Sequence, residues 1–289
     1  DVCSSDLKEV RMANQKIPSL ENWPDFLSRQ KLPILRATKK GILWEKEKYE
    51  SGDNADSRIL TKIILNDPVM TLHLLSFIHR LKAKNLRNEI RTIQSALVMI
   101  EMDPFFAKFS KMKPIESRLQ YSPNALLNVF KIIKKAKRAA VFAQNWAIRK
   151  NDLNLDEVRT AALLHPLAEI FIGVFFPDDL ITFLKILKEN PGARSRDVQK
   201  QVFGFTAFEL QTLLNVHFRL PRLLQALMNE EEKNSQRAKM VYLAIRLARH
   251  SAQNWNDSAL PDDYAEIAKM LGLDLPSVLK MIGAPPLQN

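Results

Sequence analysis

The sequence predicts an all-α fold, and three observations carry this prediction. Glycine occurs only seven times in 289 residues, which leaves few residues for tight β-hairpin turns. Apolar residues recur at three- and four-residue steps, as they do on one face of a helix. A capping side chain precedes proline at Asp67-Pro68, Asp103-Pro104 and Ser122-Pro123, a pairing typical of helix starts.

The individual elements follow from these signals in chain order. Further helix caps are predicted at Asp56, Asn154, Ser195 and Thr206. The predicted helices cover residues 20–30, 33–49, 57–66, 69–82, 91–101, 104–110, 123–149, 155–175, 178–189, 196–203, 207–218, 221–229, 236–253, 262–271 and 275–282.

Composition is that of an ordinary globular protein, with 46% hydrophobic and 26% charged residues. Cys3 is the only cysteine, which excludes a disulfide framework and a cysteine-based zinc site. No continuous apolar run reaches the roughly 18 residues of a membrane span. The first seven residues show no signal-peptide pattern, and we interpret residues 1–19 as a leader or fragment end outside the fold. These observations predict a cytoplasmic protein.

The formal net charge of +11 is unevenly distributed, since residues 121–150 contain seven basic and no acidic residues. Within the predicted helix 123–149, apolar residues form one face and basic residues the other. Two interpretations of the basic face stay open: a solvated outer surface, or a patch that binds phosphate, an acidic protein or anionic lipid. Few aromatic residues lie among the basic ones, which disfavours base stacking. The basic residues of this face are Lys131, Lys134, Lys135, Arg138 and Arg149.

Several short segments occur in an order that is similar to a known family. The first half contains Leu32-Pro33-Ile34-Leu35 and Asn66-Asp67-Pro68-Val69, followed by Ile93-Gln94-Ser95-Ala96-Leu97. The second half contains Ala162-Leu163-Leu164-His165-Pro166, Gly204-Phe205-Thr206 and Leu220-Pro221. Together they resemble the bacterial HDOD family over residues 20–230. The resemblance implies a regulatory module in signal transduction that docks onto a protein partner, such as a response regulator or a second-messenger enzyme.

The residues that depart from active HD-type phosphohydrolases indicate lost chemistry. In those enzymes the histidine at the position of His165 is followed by Asp, and the pair holds a divalent cation and its activated water. Here Pro166 follows, and Thr206 stands where a second histidine is expected. We therefore predict no metal, no cofactor and no catalytic residue, and we expect Pro166 to interrupt the helix 155–175.

The resemblance also implies the domain organisation. We expect an HDOD-like domain at 20–230, made of a first helical lobe at 20–120 and an HD-like lobe at 121–230. Residues 231–289 are predicted to be a helical extension packed on the HD-like lobe. Phe105, Phe106 and Phe109 are expected in an apolar seam between the lobes.

Two functions compete with a non-enzymatic, protein-binding regulator. The first is binding of an anionic ligand, a nucleotide or nucleic acid through the basic helix 123–149. The second is a residual metal-dependent phosphohydrolase with unusual ligands. Nucleic acid is the weaker form of the first alternative, because no zinc-finger or RNP signature accompanies the basic residues.

Overall fold

The computed structural model describes residues 16–81, 90–229 and 235–286. Within these ranges the fold is all-α, as predicted, and its only β-type pairing is a single bridge between Ile34 and Pro114. Residues 1–15 of the predicted leader lie outside the described residues.

The first half of the chain begins with a 3-10 turn at Leu20–Asn22 and continues with short helices. These helices are α1 (Trp23–Ser28), α2 (Arg36–Glu50), α3 (Ser57–Ile64), α4 (Pro68–Leu81), α5 (Ile93–Met99), α6 (Met102–Phe109) and α7 (Ile115–Arg118). The predicted helix 33–49 starts three residues late, because Ile34 exchanges backbone hydrogen bonds with the 113–115 segment instead. The helix α7 was not predicted; its four residues are too few to show a periodicity.

The second half is built around one long helix. Its elements are α8 (Pro123–Arg149), α9 (Leu155–Leu164), α10 (Leu167–Phe175), α11 (Pro177–Glu189), α12 (Ser195–Phe203), α13 (Ala207–His217), α14 (Arg222–Leu227), α15 (Gln236–His250), α16 (Leu260–Leu271) and α17 (Leu275–Ile282). Helices α9, α10 and α15 all pack along α8, whose alanine-rich face allows close approach. The extension after residue 234 therefore lies against the same central helix as α9.

Some of the predicted helix caps are confirmed and others are wrong. Asp67 accepts from the backbone N–H groups of Val69 and Met70, and Asp56 accepts from that of Arg58. By contrast, α6 begins at Met102, one residue before the predicted cap Asp103. Helix α12 likewise begins at Ser195 itself, after an N-cap at Arg194.

Pro166 interrupts the predicted helix 155–175, as expected. Helix α9 ends at Leu164, His165 and Pro166 form a turn, and α10 starts at Leu167. Taken together, Leu155–Phe175 has the length and hydropathy of a membrane span, but 78% of its most apolar window is buried inside the fold. In this structure the segment is a core element.

The three phenylalanines predicted at the seam make their ring contacts within the first half of the chain. Phe105, Phe106 and Phe109 are buried, but their ring contacts in the described chain are with one another, Tyr49 and Phe77, all in the first half. The aromatic contacts that cross between the halves come from α1. Trp23 packs edge-on against Phe176 and Phe205, and Phe26 packs edge-on against Phe175.

A second link across the seam comes from Arg118, at the end of α7. Its Nε donates a 3.1 Å hydrogen bond to the carbonyl of Val174, and its guanidinium lies 4.3 Å from the Phe175 ring centroid. Because α1 and α7 both contact α10 or its C-terminal end, that helix end is held from two sides by the first half of the chain.

Candidate functional site

Two of the three HD-type positions, His165 and Pro166, lie at the break between α9 and α10. His165 and Pro166 are half-buried, and the flanking Leu164 and Leu167 are fully buried. The break creates a new helix N-terminus, whose first backbone N–H groups need acceptors. Buried Gln211 supplies one, because its Oε1 accepts a 3.1 Å hydrogen bond from the Ala168 amide.

Gln211 is itself held by a second buried amide. Its Nε2 donates to Oδ1 of Asn215 at 2.8 Å, one helical turn further along α13. Sequence analysis missed this pair, although two amides at i and i+4 on one helix are a readable signal. Beside the broken helix, both amide oxygens of this pair therefore accept hydrogen bonds within the protein.

Thr206 has a structural task. Its hydroxyl accepts a 3.1 Å hydrogen bond from the Glu209 amide, while the Glu209 carboxylate accepts from the Thr206 amide at 2.7 Å. This reciprocal pair is a capping box at the start of α13. The Thr206 amide also lowers the pKa of Glu209, which keeps the cap ionised.

No group of three or more His, Cys, Asp or Glu side chains suited to a metal occurs in the part of the chain that the structure describes. Zinc sites and related centres take three or four protein ligands. The donor set around His165 therefore does not fit the metal centre of an active HD enzyme. The predicted absence of metal and of activity remains a prediction that needs solution measurements.

The basic face of α8 is divided by the structure. Lys131, Lys134 and Arg149 are exposed, and Lys135 is half-buried. Arg138 does not belong to a free patch, which corrects the prediction. It donates a 2.6 Å hydrogen bond to the Ser251 carbonyl, at the C-terminal end of α15.

Aromatic rings complete the environment of Arg138. Its guanidinium lies 4.8 Å from the Trp255 ring centroid and 5.3 Å from that of Phe142. An arginine held in this way closes a helix C-terminus and stacks on aromatic faces at the same time. Sequence periodicity placed Arg138 on the polar face correctly, but the residue that covers it lies more than a hundred positions later in the chain.

Exposed apolar residues accompany the remaining lysines. Leu127, Val141 and Ile148 are 52%, 49% and 54% exposed and lie on the same side of α8 as Lys131 and Lys134. Their spacing of seven or fourteen residues keeps them on one helical stripe. We call these five residues the α8 outer face.

Comparison with known proteins assigns the family. The HDOD domain profile matches residues 47–234, which is more than half of the chain. The chain belongs to the HDOD family. No curated protein matches the HDOD chain described here.

Two solved structures share the fold of this HDOD chain. The MmoQ response regulator from Methylococcus capsulatus is 17% identical with a TM-score of 0.68, over 88% of this chain and 98% of that one. A virulence factor from Campylobacter jejuni is 18% identical with a TM-score of 0.67, over 92% of this chain and 96% of that one. At such low identities these likenesses establish the fold alone.

A cleft of about 1000 Å³ opens between the two halves of the HDOD chain. Its walls come from the end of α1, from α4, from the segment after α6, and from the end of α13. Its charged lining residues are all basic: Lys31, Arg80, Lys108, Lys111, Lys113 and Arg219. Sequence analysis missed this site, since its cations come from four separate segments and no local motif joins them.

Two histidines of the cleft have a lowered pKa. The pKa of His73 is about 4, mainly because the ring is buried; the hydrogen bond to Leu32 opposes this shift, and the charges of Lys108 and Arg80 add to it. Burial also lowers the pKa of His217, and Arg80 acts in the same direction, whereas Asp25 opposes it. Both imidazoles are therefore neutral hydrogen-bonding groups at neutral pH.

Proposed function

We propose that this HDOD chain is a non-enzymatic regulatory module of bacterial signal transduction that acts in the cytoplasm by binding a protein partner. The observation that carries the proposal is the state of the HD positions. Pro166 offers no ligand, Thr206 serves as a helix cap, and Gln211 supports the backbone beside the break. The fold is kept, but the residues at the HD-type positions cap or support helix ends. Such a scaffold is suited to binding a partner rather than to catalysing a reaction.

The α8 outer face supports a specific kind of partner. Residues 121–150 contain no acidic side chain, so no acidic residue of α8 itself offsets the positive charge of Lys131 and Lys134 beside Val141 and Ile148. A surface of this type fits an acidic protein surface that also carries apolar side chains, because opposite charge steers the encounter and apolar contact holds the complex. A response regulator or a second-messenger enzyme with such a face is the partner class we propose.

Site-specific photo-crosslinking in cells of the source organism tests this proposal. A photoreactive amino acid at Val141 should give a discrete adduct with one partner, and the Lys131→Glu/Lys134→Glu background should weaken it. The matched control is the same amino acid at Val98, which is 75% exposed but lies on α5. The proposal fails if Val141 gives no adduct, or if Val98 gives the same adducts with the same yield.

A further inference from the structure

The basic cleft is a second feature with chemistry of its own, separate from the α8 outer face and independent of the docking proposal. Six basic side chains around one concavity repel each other, and the cleft has no acidic lining residue among those described. Low-dielectric walls concentrate such a field and raise the local concentration of anions. The arrangement is therefore that of a receptor for a multiply charged anion.

The cleft floor contributes an unpaired polar group. Ser76 on α4 is 4% exposed and lines the cleft, and its Oγ has no hydrogen-bond partner within the described structure. Buried hydroxyl groups are normally paired, since an unpaired one costs about 1–3 kcal/mol. The Oγ atom is covered in this structure, so a ligand oxygen would become its partner after a small shift of the neighbouring cleft side chains.

The remaining walls are apolar and aromatic. Phe77, Phe109, Met112 and Phe218 line the cleft beside the cations, and Nζ of Lys108 lies 5.6 Å from the Phe77 ring centroid. A volume of about 1000 Å³ is far more than a phosphate ion needs and lies at the upper end of the range for small-molecule sites. The walls thus provide room for a flat ring as well as for the anionic groups.

The backbone at the cleft mouth is also unusual. Arg219 has a φ of 53°, in the left-handed region that residues other than glycine rarely adopt. This conformation immediately follows His217 and Phe218 at the end of α13, and all three residues line the cleft. Arg219 thus adopts a sparsely populated backbone conformation just after the end of α13, where its basic side chain lines the cleft.

From these observations we propose that the cleft between the two halves binds a nucleotide carrying two or more phosphates. The basic side chains neutralise the phosphates, Ser76 donates to a phosphate oxygen, and the aromatic wall receives the base. Because Arg80 and Lys108 come from the first half and Arg219 from the second, the ligand holds the halves together. Its binding should therefore stabilise the fold through mass action.

Fluorescence titration of the purified chain with mant-ATP tests the proposal, with unlabelled ATP and pyrophosphate as competitors at 150 mM salt. We expect saturable binding that ATP displaces and that pyrophosphate displaces less effectively, because pyrophosphate has no base for the aromatic wall. ATP should also raise the unfolding temperature. No saturable binding, or displacement by a single-stranded RNA but not by ATP, would overturn the proposal.

Variants separate the cleft from general surface charge. Arg80→Gln/Arg219→Gln removes one exposed cation from each half and should weaken binding at least about tenfold, or about 1.4 kcal/mol. Lys131→Gln/Lys134→Gln removes the same charge from α8 and should leave binding unchanged. Equal losses in both double variants, or no loss in the cleft variant, would contradict a cleft site.

Ser76→Ala provides a test that does not alter the charge. Removing an unpaired buried hydroxyl should leave the unfolding temperature of the ligand-free chain unchanged or higher, while mant-ATP binding becomes weaker. Unchanged binding in a folded Ser76→Ala chain would show that this hydroxyl does not touch the ligand and would overturn its assigned role.

Discussion

The carboxylate of Asp67 accepts a 2.7 Å hydrogen bond from the backbone amide of Leu35. The same side chain caps α4 through the amides of Val69 and Met70, and it is fully buried. One residue thus joins the Leu-Pro-Ile-Leu segment to the Asp-Pro segment, the two elements that define the first half of the sequence pattern.

Replacing Asp67 by alanine should destabilise the fold by about 2–4 kcal/mol. Three backbone N–H groups lose their acceptor inside the core, and each unsatisfied buried donor carries a desolvation cost. Urea denaturation monitored by circular dichroism measures the loss. The control is Asp56→Ala, which removes a single cap bond at an exposed helix start and should cost about 1 kcal/mol. Equal costs for the two variants would contradict this assignment.

Arg138→Gln should lower the free energy of unfolding by about 1–2 kcal/mol. The substitution removes the hydrogen bond to the Ser251 carbonyl and the stacking on Trp255, both of which fix the end of α15 against α8. Lys131→Gln/Lys134→Gln on the same helix should stay within about ±0.5 kcal/mol. If all three positions behave alike in denaturation, Arg138 is solvated and the assigned contact is wrong.

Stability should fall as the pH drops from 6.5 to 4, in part through His73. Its pKa is about 4 in the fold against an ordinary 6.5, so the unfolded chain binds more protons in this window. The contribution is complete above pH 6.5 and is lost toward pH 4, with a size on the order of 3 kcal/mol. The neutral ring can donate from Nε2 to the Leu32 carbonyl, at 3.2 Å.

The measurement compares the free energy of unfolding of the native chain and of His73→Gln at several pH values. Glutamine retains a donor for the Leu32 carbonyl but cannot titrate, so its curve should be flatter between pH 6.5 and 4. His217, whose pKa is also lowered, accounts for part of the slope that remains. Identical slopes in the two chains would show that His73 does not titrate in this range.

Pro166→Asp should fold and remain inactive. Pro166 occupies the N-cap position of α10, where aspartate is a favoured residue, so the helix break does not forbid the change. A restored His-Asp pair still lacks further ligands, because Thr206 is used in the capping box with Glu209. Phosphodiesterase assays with added manganese should give no rate above background. Metal-dependent turnover in this single variant would show that the site is less degraded than its residues indicate.

Sequence periodicity predicts the helices well where they are long, as at Pro123–Arg149, whose bounds match the prediction. It fails where tertiary contacts decide the local structure. Residues 33–35 are extended because Ile34 pairs with the 113–115 segment, and no signal within residues 33–49 indicates that distant partner.

The candidate sites show the same contrast between local sequence features and contacts between distant residues. The proline that follows His165, where an active HD enzyme has aspartate, is a local feature and can be read directly from the sequence. The basic cleft and the cover over Arg138 depend on residues far apart in the chain, such as Lys31 with Arg219, and Arg138 with Trp255. Charge counts along the sequence located the basic helix, but they could not indicate which of its basic side chains contact other parts of the fold.

The central claim is that the HD-like site of this chain performs no hydrolysis, and one assay tests it most directly. The purified chain and the His165→Ala variant are each supplied with Mn²⁺, Fe²⁺, Mg²⁺ or Zn²⁺. Hydrolysis of p-nitrophenyl phosphate and of bis-p-nitrophenyl phosphate is then measured for both proteins, together with the amount of metal that each protein binds. We predict no stoichiometric metal and no rate above that of His165→Ala. Metal-dependent turnover that disappears in His165→Ala would contradict the account.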